Sequence, residues 1–418
     1  MFYIVETQDQ LNEFCYKRHE EAFVEIIPHN DSVHPAINQI SLIYIRPLKD
    51  TKGYILCINH SESLSLSLED AIRALSSINK IYVADKKTLL HYFVLRHAQQ
   101  LHTPPSPPYI HSPVFNLYKS HPSPNCLIPI SKHYEKYTHI YNGIKDFTPV
   151  NKFKDLAIKC FYYVESQGIH IDQSIFDAFH ENYEAARNIH YKTIYTQYNL
   201  DTTTSRPSNT FNGINFLAIP KNNGARKAFI PKNSKFVEID ISAYHPVLAA
   251  YLVDFTFDSD DVHDSFAKMY GVSYQEAKTI TFQQMYGGVF ETYKNLEFFK
   301  KIGSFINDKW EEFNNLGQVI VPISGHCLKK DKLDNMNPQK LFNYILQGLE
   351  TANNVRILEE IIRLLRGKNT QVVLYTYDAF LLDWDENENI LDDIINIFKK
   401  YKLNIKISYG KSYDFAQI

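Results

Sequence analysis

The chain has 418 residues, 44% of them hydrophobic and 22% charged, with a formal net charge of −3. That balance describes a folded protein long enough for two or three domains and excludes a disordered or uniformly basic chain, while leaving room for a local basic groove. Cys15, Cys57, Cys126, Cys160 and Cys327 fall without Cys-x-x-Cys spacing, which indicates neither a zinc module nor a disulfide framework.

The opening "MFYIVETQDQLNEF" lacks the basic-then-apolar pattern of a signal peptide. No stretch approaches the roughly 18 uninterrupted apolar residues of a membrane span. A cytoplasmic or nucleoid-associated location without membrane insertion is expected. "FYIVET" and "AFVEIIP" read as strands, "DQLNEFCYKR" as a helix, "QISLIYIRP" and "GYILCIN" as a hairpin, and "SLEDAIRALSSI" as an amphipathic helix. Residues 1–100 are therefore expected to form a small α/β domain. The proline-rich run that begins at Leu101 predicts a connector over 101–150.

"FKDLAIKCFYYVESQG" predicts a helix capped by Gly168, and a second helix is expected over Asp177 to Thr196. From 205 onward, "KFVEIDI", "QVVLYTYDAFLLDW" and "LNIKISYG" read as strands. "DDVHDSFAKMYG", "SYQEAKTITFQQMYGG", "YKNLEFFKKIGSFINDKWEEF" and the run from Asn337 to Leu365 read as helices. This is an α+β arrangement, an antiparallel sheet with a long helical insertion between Asp240 and Asp378.

Tyr377-Asp378 can occupy a tight hairpin turn. If the Asp240 strand lies beside it, two carboxylates meet at a sheet edge, as a site for two Mg²⁺ about 3.5–4 Å apart requires. A turn Asp that only satisfies backbone N–H groups fits the fragment equally well. Lys278, Phe282 and Tyr286, spaced four and four, share one helix face. A cation and two rings in a row suit a nucleotide, and a core stripe with a snorkelling lysine remains the alternative.

Together these segments resemble the family A DNA polymerases. "DISAYHPVLAAYL" resembles the first palm motif, "KTITFQQMYGG" the finger helix and "YTYDAFLLD" the second palm carboxylate motif. The resemblance implies a right-hand palm and fingers over 205–418, a reduced thumb over 151–204, and a degenerate 3′–5′ exonuclease-like domain in front. It implies two Mg²⁺ held by Asp240, Asp378 and the carbonyl of Ile241, with Lys278 catalytic at the leaving group. His245, His263, Lys278, Phe282 and Tyr286 would bind the nucleotide. Arg206, Arg226, Lys227, Asn343 and Gln347 would touch primer-template DNA. The implied activity is template-directed addition of dNTPs to a primer end without proofreading. A primer-making or RNA-synthesising polymerase, or a non-catalytic DNA-binding replication subunit, are the alternatives.

Several positions depart from the family's pattern. Tyr274 stands where a triphosphate-binding Arg is usual, Ala379 replaces the third residue of the palm triad, and His245 replaces the Glu that crowds the sugar 2′ position. About thirty residues, Asp172 to Thr204, take the place of a much longer thumb. Fewer phosphate contacts imply a salt-sensitive grip and a processivity or replisome protein partner. Such reduction is also compatible with a phage or viral origin. In the N-terminal domain only Glu25 stands where the nuclease's Asp-x-Glu strand is expected, and Asp85 reads as a surface turn residue.

Overall fold

The computed structural model describes residues 2–95, 97–102, 124–144, 146–180, 189–209, 214–221 and 223–415. The chain divides into two compact units. One comprises Met1–Gly168 with Asn182–Gln197 and Asn212–Ile214, the other Ile169–Glu181 with Tyr198–Phe211 and Asn215–Ile418.

The first unit is built on a six-stranded mixed sheet of order β1-β4-β3-β2-β5-β6, with β1 Phe2–Val5, β2 Glu21–Pro28, β3 Ile40–Pro47, β4 Gly53–Cys57, β5 Lys80–Val83 and β6 Ala98–Gln100. Helices Gln8–Tyr16 and Leu68–Ser76 each start at a capping box, on Thr7 and Ser67. They place Leu11, Phe14, Ala71, Ala74 and Leu75 in one core with Val24, Ile43 and Ile45 of the sheet. A second core sets Ile130, Tyr137 and Ile140 against Phe23, Leu42 and Tyr44.

Those three residues lie on a helix, Ile130–Gly143, inside the stretch expected to be a connector. No proline falls between Pro129 and Pro149, and the apolar positions that follow Pro129 recur at helical spacing, so the sheet has a second face covered. Residues 103–123 of the expected connector lie outside the described residues.

Helix Lys152–Gln167 belongs to this unit and stops at Gly168, whose φ is +63° and where a Cβ would meet the Thr193 methyl at 2.5 Å. Glycine is required there on both counts. The segment 151–204 is therefore divided between the two units. The helix expected over Asp177 to Thr196 is corrected. Gln173–His180 is helical, but β8 (Ile189–His190) and β9 (Thr193–Ile194) form a hairpin after β7 (Ile169–Ile171). Tyr191 and Lys192 both take positive φ, the geometry of a tight hairpin turn, and the β-branched residues around them favour strand.

In the second unit β10 (Phe229–Ile230) pairs antiparallel with β7. The main sheet is wholly antiparallel, of order β14-β15-β11-β16, with β11 Lys235–Ile241, β14 Gln371–Tyr375, β15 Ala379–Trp384 and β16 Ile405–Gly410. A small hairpin, β12 (Gln318–Ile320) with β13 (Cys327–Lys329), was not legible as strands. Between β11 and β14 run helix Tyr244–Leu252 and the four helices expected there, Val262–Tyr270, Tyr274–Gly287, Glu297–Leu316 and the 27-residue Pro338–Leu364. No helix among the described residues is long and apolar enough to cross a membrane.

Candidate active site

The register β11–β15 sets Asp240 opposite Ala379, next to Asp378 in the turn after β14. The Ile241 N–H donates to the Asp378 carbonyl at 2.8 Å, and the Asp378 N–H to Thr376 at 2.9 Å. Tyr377 beside it (φ +66°) and Ala243 at the start of the next helix (φ +50°) are non-glycine residues in the left-handed region, a conformation retained where a site demands it.

Burial raises the Asp240 carboxyl above its usual range, and the charge of Asp378 raises it further against Lys221, Lys406 and Lys278. Asp378 opens to solvent at the turn tip, yet the surrounding chain restricts its hydration and pushes its carboxyl up. Glu350 adds to this, opposed by Arg206 and His245. Glu238, two residues before Asp240 and on the same strand face, is also raised by burial and by Asp240. Carboxylates that repel one another with restricted hydration form a donor set that a divalent cation would relieve, so Asp240 and Asp378 fit Mg²⁺.

The helix Tyr274–Gly287 begins with a capping box on Ser273 and buries Ala277, Thr281, Gln284 and Met285. Its other side exposes Lys278, Phe282 and Tyr286, the two rings 4.8 Å apart, so this stripe is not the core stripe of the alternative reading. Tyr274 cannot replace an arginine's charge. Its ring lies 5.5 Å from Lys278 Nζ, and its hydroxyl donates to Asp261 at 3.1 Å. His263 packs edge-on against Tyr274 at 5.9 Å, and burial followed by the charge of Lys278 lowers its pKa.

His245 lies between two partners. Its Nε2 is 2.7 Å from Glu350 Oε2, and its Nδ1 meets the Tyr286 hydroxyl. The Tyr286 hydroxyl is pushed up to about 12 by burial and then by Glu350. Glu350 also accepts from Arg206 at 3.1 Å, and the Arg206 guanidinium lies 3.6 Å from the Tyr377 ring. Arg206 is thus bound to the carboxylate cluster. Gln347 accepts from Thr204 at 3.1 Å, and Asn343 Oδ1 is buried without a partner. Of the basic pair only Lys227 is exposed. Arg226 is buried, donating from Nε to the Ile219 carbonyl at 3.1 Å with its guanidinium over Tyr413.

Glu350, Glu238 and Lys221 were missed in the sequence. A signal for Glu350 existed: Asn343, Gln347, Glu350 and Asn354 form a polar stripe with spacings of four, three and four along the helix. Asn354 closes that stripe, accepting from Tyr244 at 2.8 Å and donating to the Tyr375 hydroxyl at 3.0 Å.

The N-terminal unit holds two further groups. Glu25 on β2 accepts from the Ala84 N–H at 2.9 Å and lines a small pocket with Asp85 and Thr88. Asp85 caps helix Lys86–Tyr92 by accepting from the Thr88 N–H, as a turn residue should. Burial pushes Glu25 up to about 8, with Asp85 adding to the shift. With the folded pKa above the unfolded one, Glu25's contribution to stability is fully present below pH 4.5 and is lost as pH rises through about 8. Glu25→Gln keeps the acceptor and removes that loss. It should therefore match wild type at pH 4 and exceed it by on the order of 2–4 kcal/mol at pH 9 in chemical denaturation. Parallel pH profiles would refute the protonated state.

His34, His91 and Glu165 bring one ligand atom each to within 4.8 Å of one another, a group able to hold a metal ion. Lys87 Nζ already lies 2.6 Å from Glu165, and His34 is bonded through both nitrogens, accepting from the Ala36 N–H and donating to the Thr196 carbonyl. Burial raises the Glu165 carboxyl, but Lys87 and His91 outweigh it and hold the group low. An ammonium thus answers the charge that a cation would meet.

No family model matches the sequence, and no curated protein matches it. Among solved structures, the POL domain of Pol1 from M. smegmatis, in complex with DNA primer-template and dNTP, matches with a TM-score of 0.72 at 11% identity. The match covers 100% of both chains. This chain therefore shares the mixed α/β palm-and-fingers fold of that polymerase domain.

Proposed function

We propose that this protein is a template-directed DNA polymerase that extends a primer 3′ end with dNTPs. The observation that carries the reading is that Asp240 on β11 and Asp378 in the turn before β15 feel each other's charge, within the field of Lys278, in a fold shared with a polymerase domain. Asp240, Asp378 and the Ile241 carbonyl would hold two Mg²⁺, which supply charge neutralisation at the primer hydroxyl and the triphosphate. Lys278 and His263 bind the phosphates, and Lys278 stabilises charge on the leaving pyrophosphate. Phe282 and Tyr286 stack near the nascent pair. Asn343 and Gln347 face the minor groove, Lys227 tracks the backbone, and Arg206 orders the carboxylate side of the site.

Proofreading is absent in this reading. The strand expected to carry Asp-x-Glu offers Glu25 followed by Ile26 and Ile27, and Asp85 is engaged as the cap of helix Lys86–Tyr92. Lys87 answers the one buried carboxylate of the histidine cluster. A reduced thumb and a processivity partner belong to the same proposal.

Extension of a labelled primer-template by wild type, with dNTPs and with rNTPs, tests the reading; no elongation with either would overturn it. In this reading the imidazole of His245, held next to Tyr286, faces the nucleotide sugar and is bulky enough to hinder a 2′-OH. A single such contact is worth about 1–3 kcal/mol. We expect wild type to prefer dATP and His245→Ala to cut the dATP-to-rATP ratio of kcat/KM by roughly tenfold or more. A wild type that prefers rATP would instead favour the RNA-synthesising alternative.

A further inference from the structure

On this polymerase reading, we propose that Glu350 is the positioning residue that sets sugar selection, acting through His245. A carboxylate only accepts hydrogen bonds, so the 2.7 Å contact with Glu350 assigns a proton to Nε2 of His245. The ring is then held with Nδ1 toward the Tyr286 hydroxyl. Glu350, His245 and Tyr286 form one chain from the buried face of helix Pro338–Leu364 to the exposed face of the finger helix. An imidazole on a free rotor would be a poor wall, whereas one tethered at both nitrogens presents a fixed edge.

Glu350 has the features of a built support. Its side chain is 1% exposed, and it satisfies a second donor, Arg206, which is itself stacked on Tyr377 next to Asp378. One buried carboxylate therefore ties the sugar-facing ring to the turn that carries a candidate metal ligand. The motif position that usually holds a glutamate has become histidine, and the carboxylate lies one layer deeper, 105 residues away in sequence.

The test is a double-mutant cycle with Glu350→Gln and His245→Ala, reading kcat/KM for dATP and rATP on one primer-template. Glu350→Gln keeps the shape and one acceptor, so its fold is checked by melting alone. We expect it to lower the dATP-to-rATP ratio about three- to tenfold, and to leave the ratio unmoved when added to His245→Ala. Glu350→Asp should recover part of the ratio. A merely structural Glu350 would depress both substrates in parallel, and that outcome, or an additive cycle, overturns the proposal while the polymerase reading stands. Wild type inert toward both substrates ends the polymerase reading and the proposal together. An independent readout is ¹⁵N-histidine NMR. A protonated Nε2 on His245, weakened in Glu350→Gln, is expected, and an unprotonated Nε2 in wild type overturns the tether.

Discussion

Asp378→Asn should lower primer extension by roughly three orders of magnitude or more, since a metal-held carboxylate at a phosphoryl-transfer centre contributes several kcal/mol to the transition state. The same substitution should stabilise the protein without divalent ions. The Asp240 and Asp378 carboxyls are raised in the folded chain, so their contribution to stability is complete below the unfolded carboxylate pKa of about 4 and is lost as pH rises through the raised values. At pH 8 metal-free Asp378→Asn should melt above wild type, and at pH 4 the two should coincide. Added Mg²⁺ should reverse the order by raising the wild-type Tm alone, about 2.7 kcal/mol of stabilisation at a hundredfold excess over Kd. A Mg²⁺ response that survives in the Asp240→Asn/Asp378→Asn double variant would place the ion elsewhere, and the His34, His91 and Glu165 group would be examined first.

Lys278→Ala should reduce kcat/KM for dATP by about 10²–10³, the usual loss when a donor aimed at developing charge is removed. Tyr274 offers a ring and no charge in the preceding turn, so that position does not share the load. Lys278→Arg should retain more activity than Lys278→Ala, and raising salt should penalise the alanine variant less than wild type. A loss below threefold would shift the phosphate grip to Lys221 or Lys406, the other cations whose charge reaches Asp240.

The strands and helices of the second unit were legible because their patterns are long and uninterrupted, as in "KFVEIDI" and the run after Asn337. The hairpin turn at Tyr377-Asp378 was visible for the same reason, a polar break between two apolar runs. The 189–194 hairpin was not, because two-residue strands are too short for a period of two to register. Helix Ile130–Gly143 was masked by the prolines before it. At the candidate site, the identity of His245 could be read but its tether could not. Glu350 is a long-range partner, and an acid on a helix that also carries Glu359 and Glu360 reads as solvated until its burial is known.

β11 carries the consequence of being the strand between β15 and β16. It ends at residue 241, yet its partner on one side begins at 379 and the other ends at 410. During synthesis the strand, with Phe236, Val237 and Ile239 along it, waits 138 residues (379 − 241) before its first partner begins and 169 (410 − 241) before its second is complete. At about 5–20 residues per second the longer wait is roughly 8–34 s on the ribosome with one edge of an apolar strand unpaired. Such long-range pairing also slows folding after release. A nascent chain that stalls before residue 405 would hold a complete first unit and an open second one, and its route would be a chaperone or an aggregate rather than a partly active enzyme.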